Sequence, residues 1–167
     1  MTVNKTDVDS AKYFAIGAHG QQKRKYTGEP YWTHLQEVAA ILQENTLCTT
    51  EMLQAAWLHD VVEDTQFTIF DINEFFGSLV CEYVNALTEP NMQNRKTRKI
   101  YYNQQLCASS PEVQTIKYAD LISNTSSIVE CDPDFAKVYL KEKRELLSLM
   151  MGGDNKLYNM ASKLAGG

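Results

Sequence analysis

Four residues able to ligate a metal follow one another along the chain: His34, the adjacent pair His59-Asp60, and Asp120. The middle pair lies in Trp57-Leu58-His59-Asp60-Val61-Val62-Glu63-Asp64-Thr65, where four ionisable groups share six positions between apolar neighbours. Burying such groups is costly unless something pairs with them, and a divalent cation is a partner that satisfies all of them. Two imidazoles and two carboxylates form a mixed nitrogen and oxygen set that suits manganese, iron or zinc better than calcium. Water beside such an ion gains acidity and nucleophilicity, so the chemistry indicated is hydrolysis. Glu63 and Asp64 are left over once four ligands are assigned. They read as a pair that takes a proton from the water and sets its direction of attack.

These residues need helices to bring them together. On a helix over 50–63, His59 and Glu63 are four apart, as are Asp60 and Asp64, so all four crowd one side near its C-terminal end. Carboxylates there oppose the helix macrodipole, and a cation would compensate. His34 falls in the preceding apolar helix and Asp120 in a later one. Taken singly, each is ordinary: a satisfied histidine, a helix-face acid, a common dipeptide. The ordered set is what points to a site.

The rest of the chain is periodic at three- and four-residue steps, as in Leu35, Val38, Ala39, Leu42 and in Leu79, Val80, Tyr83, Val84, Leu87. Thr49 before Glu51 marks a helix start, and Ser110-Pro111 and Asp132-Pro133 place a capping residue before a first-turn proline. Gly77 ends the segment closing on Phe75-Phe76, and Gly152-Gly153 breaks before a last short helix. Loops are expected at 20–30 and around 89–94. No strand-like alternation is sustained. The expected fold is all-α: a single-domain helical bundle over 1–167 with its core at about 11–150, and bundle cores commonly hold metals.

With 167 residues, 44% hydrophobic, the chain suits one domain with one core. A net charge of -5 argues against a general nucleic-acid or membrane-surface binder. Two local basic clusters, Lys23-Arg24-Lys25 and Arg95-Lys96 with Arg98-Lys99, suit a small polyanion such as a nucleotide phosphate; read alone, they are solvated faces. Cys48, Cys81, Cys107 and Cys131 show no C-x-x-C spacing and are expected to pack as small apolar groups. The lack of a signal pattern or membrane-length apolar run reads as a cytoplasmic chain.

The segment from Ala18-His19-Gly20 through Lys23-Arg24-Lys25 to Gly28-Glu29-Pro30-Tyr31-Trp32-Thr33-His34 resembles the opening of the RelA/SpoT-type hydrolase domain, a branch of the HD phosphohydrolases. Leu58-His59-Asp60-Val61-Val62-Glu63-Asp64-Thr65 resembles that family nearly residue for residue. Ile116-Lys117-Tyr118-Ala119-Asp120 with Asn124 is similar to its last metal motif. The resemblance covers most of the chain, roughly Ala11 to Leu149. It implies an HD-domain bundle of the stand-alone small alarmone hydrolase type, acting in the stringent response. Such an enzyme uses manganese to remove pyrophosphate from the 3′ position of (p)ppGpp. It further implies His34, His59, Asp60 and Asp120 as metal ligands and Glu63 and Asp64 as the catalytic pair. Arg24, Lys25, Arg98 and Asn124 would be substrate contacts. Guanidinium forks fit phosphate oxygens.

The chain departs from the family at several points. Tyr26-Thr27 stands where one residue is usual, and Leu35 replaces a proline. Leu121 and the stretch after Asn124 lack the family's basic residues, which leaves fewer cations for the nucleotide. Two other functions therefore stand beside the first: hydrolysis of another nucleotide (an adenine alarmone or NADPH), and a non-catalytic nucleotide sensor. The intact Glu63-Asp64 pair weighs against the sensor. A homo-oligomer is compatible with the sequence.

Overall fold

The computed structural model describes residues 3–166, so the ends of the expected 1–167 domain lie outside the described residues. It contains ten helices: α1 Lys5–His19, α2 Trp32–Asn45, α3 Thr50–Leu58, α4 Val61–Asp64, α5 Ile69–Phe76, α6 Ser78–Leu87, α7 Arg95–Cys107, α8 Pro111–Cys131, α9 Pro133–Leu149 and α10 Asn155–Leu164. Among the described residues there is no strand, and the one β feature is an isolated bridge between Lys23 and Pro30 that closes the α1–α2 loop.

The expected boundaries follow from capping chemistry. The Thr49, Ser110 and Asp132 side chains accept from the backbone N–H groups of Met52, Val113 and Phe135. Gly77, at φ 84°, ends α5 and donates its N–H to the Asn73 carbonyl. Cys48, Cys81 and Cys107 are half-buried, but Cys131 at the end of α8 is exposed, so it does not pack as expected.

Two helices form the centre. Every residue of α3 from Met52 to Leu58 is buried. α8 buries residues around most of its circumference, including Val113, Ile116, Tyr118, Leu121 and Ile128. α1, α2, α6 and α10 pack around this pair. Asp120 therefore sits on one central helix, and His59-Asp60 directly follow the other.

The single helix expected over 50–63 is not formed. α3 stops at Leu58, His59 and Asp60 make a turn, and α4 restarts at Val61. The Asp60 backbone, at φ -102° and ψ -3°, lies in the sparsely allowed bridge region. Neighbours on an unbroken helix point about 100° apart. The break allows His59 and Asp60 to aim at one point.

α8 is fixed from behind by the loop before α10. Tyr118 donates its hydroxyl to the Met150 carbonyl at 2.6 Å, and Gly152 N–H donates to Gln114 Oε1 at 2.7 Å. A Cβ on Gly153 would lie 2.6 Å from Tyr118 Cε2 and 2.9 Å from the Thr115 backbone nitrogen. Overpacking of this kind costs about 1–3 kcal/mol, and each kcal/mol lowers Tm by about 2–4 °C in a chain of this size. Gly153→Ala should therefore melt several degrees below the parent by circular dichroism; an unchanged Tm would show that the α8–α10 approach is slack.

Candidate metal centre

α2 contributes His34, the α3–α4 turn contributes His59 and Asp60, and α8 contributes Asp120. Nε2 of His34 lies 3.2 Å from Asp120 Oδ1 and 3.6 Å from Asp60 Oδ2. Nε2 of His59 lies 3.0 Å from Asp60 Oδ2 and 3.6 Å from Asp120 Oδ1. His34, His59 and Asp120 are buried and offer ligand atoms within 4.8 Å of one another. The Asp60 carboxylate, 19% exposed, closes the fourth side.

The hydrogen bonds assign the tautomers. His59 Nδ1 is 2.8 Å from the Ala56 carbonyl, which can only accept, so Nδ1 carries the proton. His34 Nδ1 is 2.9 Å from Ser123 Oγ, whose own hydroxyl is directed to Glu37 Oε2 at 2.6 Å; Nδ1–H is again the donor. Both Nε2 atoms are fully enclosed and make no hydrogen bond despite their close carboxylate neighbours. Two imidazole Nε2 atoms without a hydrogen-bond partner thus face two carboxylates. A cation fits that donor set, and its softness and geometry suit a divalent transition metal.

In the metal-free protein a proton takes the place a cation would fill. Burial would depress the His59 imidazolium, but Asp60 and Asp120 outweigh it and hold it well above the usual histidine range. Burial would raise Asp60, but His59 and His34 outweigh it and hold the carboxyl well below the usual range. Lys117, His34 and His59 do the same for Asp120 against its burial. Metal binding in such a cluster competes with protons.

Each carboxylate is also held from outside. Tyr31 donates to Asp60 Oδ2 at 2.6 Å, and burial followed by the Asp60 charge keeps that phenol protonated. Lys117 Nζ bonds Asp120 Oδ2 and Asn124 Nδ2 bonds Asp120 Oδ1, both at 2.7 Å. These partners were not singled out from the sequence, apart from Asn124. The spacing of Lys117, three residues before Asp120 on one helix, was the available signal.

Glu63 and Asp64 lie beside the centre, at opposite contacts. Glu63 Oε1 accepts from the Glu89 backbone N–H, and Gln22 Nε2 donates to Asp64 Oδ2 at 2.9 Å. The Glu63 side chain keeps an exposed face. Burial of its carboxyl end, with the Asp60 charge and against the Glu89 N–H, pushes Glu63 up to about 7.

The expected substrate contacts divide between two recesses. Arg24, Lys25 and Asn124 line a 140 Å³ cavity with His34 and Tyr31. The basic run is not one solvated face, because Arg24 turns inward while Lys23 and Lys25 stay exposed. Arg24 Nη1 bonds Glu37 Oε2 at 2.9 Å, and Lys25 Nζ lies 4.8 Å above the Tyr26 ring. Arg98 is elsewhere: it lines a 610 Å³ cleft with Glu63 and bonds Glu89 Oε1 at 3.0 Å.

The sequence profile of the family described as HD domain matches residues 11–128. The guanosine-3′,5′-bis(diphosphate) 3′-pyrophosphohydrolase MESH1 of Homo sapiens is 37% identical over 123 residues, 72% of this chain and 69% of that protein. The bifunctional (p)ppGpp synthase/hydrolase SpoT of Escherichia coli is 34% identical over 140 residues, 80% of this chain but 20% of that protein. A solved structure of a metazoan ortholog of SpoT that hydrolyzes ppGpp superposes with a TM-score of 0.89 at 26% identity, covering 98% of this chain and 96% of that one.

The Glu63 environment has a consequence for stability. The folded carboxyl keeps its proton up to about 7, whereas the unfolded one releases it near 4.5. The folded state binds more protons in that window, so this group's contribution is complete below 4.5 and is lost as pH rises through 7. In metal-free protein, the stability of Glu63→Gln relative to the parent should therefore grow from pH 4.5 to 7 in urea titrations. Parallel pH curves for the two proteins would show that Glu63 is not perturbed.

Proposed function

We propose that this chain, which belongs to the HD-domain family, is a metal-dependent (p)ppGpp 3′-pyrophosphohydrolase that releases pyrophosphate and GDP or GTP. The observation that carries the reading is the convergence of the two bare Nε2 atoms with Asp60 and Asp120, beside a Glu63 carboxyl poised near neutrality. Relatives named as ppGpp hydrolases, sharing 37% identity, supply the substrate class. We assign manganese to the centre, with His34, His59, Asp60 and Asp120 as ligands. When bound, a divalent cation supplies Lewis acidity and lowers the pKa of neighbouring water.

The remaining steps belong to the protein. Glu63 takes the proton from the attacking water, a role suited to a base titrating near the working pH. Asp64, steadied by Gln22, orients that water. The water oxygen bonds to the phosphorus attached to the ribose 3′ oxygen, the bond to that oxygen breaks, and the 3′ oxygen leaves with a proton. Arg24, Lys25 and Asn124 bind the nucleotide side, and Arg98, across from them beside Glu63, holds the pyrophosphate. Fixed cations at these positions stabilise the charge that develops on the phosphoryl oxygens.

The whole chain acts as one hydrolase domain with its core at about 11–150. We place it in the cytoplasm, acting on a small-molecule nucleotide with no nucleic-acid or membrane partner. That reading rests on the net charge of -5 and on the finding that no described helix is long and apolar enough to cross a membrane.

Incubation with manganese and ppGpp should yield GDP and pyrophosphate on anion-exchange chromatography. Glu63→Gln should keep the metal and lower kcat by about 10²–10⁴-fold, as expected for removing an acid/base group. Hydrolysis of NADPH or ATP but not ppGpp would move the substrate while keeping the centre. A metal-loaded protein that turns over none of them would contradict the enzyme.

A further inference from the structure

We infer that Ser123 and Glu37 are positioning residues of the metal centre, forming a carboxylate–hydroxyl–imidazole relay behind His34; the inference rests on the reading of His34 as a ligand. Glu37 stands one turn after His34 on α2, and Ser123 stands one turn after Asp120 on α8. The Glu37 carboxylate can only accept, so Ser123 must donate its hydroxyl to Oε2 across 2.6 Å. The serine oxygen is then left as an acceptor at 2.9 Å for His34 Nδ1–H. That arrangement fixes the ring's rotation and leaves Nε2 as a lone pair aimed between Asp60 and Asp120.

The relay ends on the substrate recess. The same Glu37 Oε2 that receives Ser123 also receives Arg24 Nη1 at 2.9 Å. One carboxylate oxygen therefore orients both a metal ligand and the guanidinium assigned to the nucleotide side of the substrate. Glu37 keeps 47% of its side chain exposed, whereas Arg24, His34 and Ser123 are buried. The half-exposed acid is drawn onto two buried donors, so its removal would leave both the Arg24 guanidinium and the Ser123 hydroxyl without their partner. Ligating histidines are commonly held at their second nitrogen, and losing that partner typically weakens metal affinity by about 10–100-fold. His59 obtains this support from the Ala56 carbonyl of its own helix. His34 obtains it only through side chains from two helices, so substitution can remove it.

The test is manganese binding by isothermal titration calorimetry to metal-stripped full-length chains, with apo-protein melting measured in parallel. Ser123→Ala should weaken the manganese Kd by about 10–100-fold, and Glu37→Ala should weaken it at least several-fold at a temperature where the apo protein remains folded. The double variant should bind no more weakly than Ser123→Ala alone, because members of one chain are not additive. Affinities within twofold of the parent for both single variants would overturn the relay, as would strictly additive losses. If Ser123→Ala does not fold, the half-exposed Glu37→Ala decides alone: an unchanged affinity there overturns the relay. A parent protein that binds no manganese would instead overturn the underlying metal assignment.

Discussion

Two imidazole Nε2 atoms and two carboxylates converge in the interior of this bundle, and the surrounding structure is arranged to keep them so. The Ala56 carbonyl and the Ser123 hydroxyl oxygen each accept a hydrogen bond from the Nδ1–H of a histidine. Tyr31 and Asn124 donate to the inward oxygens, Asp60 Oδ2 and Asp120 Oδ1, and Lys117 binds the outer oxygen of Asp120. Without a cation such a cluster would carry the cost of buried like-natured groups; with one, every neighbour becomes an orienting contact.

That constraint explains the local fold. The turn at His59-Asp60 interrupts what would otherwise be one helix from Thr50 to Asp64, and it places consecutive side chains on a common target. Beyond the break, the Glu89 backbone and Gln22 hold Glu63 and Asp64 beside the ligands. α8 supplies Asp120 from one of the two central helices, backed by the closely packed Gly152-Gly153 loop. Positional accuracy at the centre thus rests on core packing rather than on loops.

Much of this was legible in the sequence, and the limits are physical. Helix caps at Thr49, Ser110 and Asp132 act over three residues and could be read directly. The ligands announced themselves through residue type and order within apolar helices. The break at residue 59 left no such mark: Val61 and Val62 continue the apolar pattern and neither glycine nor proline interrupts it, so the deviation follows from tertiary geometry. Ser123 and Glu37 were invisible for a related reason, being 86 residues apart in the chain and ordinary in type. Arg24 and Arg98 read alike as basic-cluster members, yet one turns into the His34 recess and the other pairs with Glu89 beside Glu63. Which acid neutralises which base is set by the packing of α2, α7 and α8.

The central claim is that a single ion binds among His34, His59, Asp60 and Asp120. Anomalous diffraction at the manganese edge, from crystals of the protein grown with manganese, tests it most directly. The account predicts one strong peak per chain at coordination distance from both Nε2 atoms and from an oxygen of each aspartate. A cluster free of anomalous signal, with manganese found only at surface carboxylates, would contradict it.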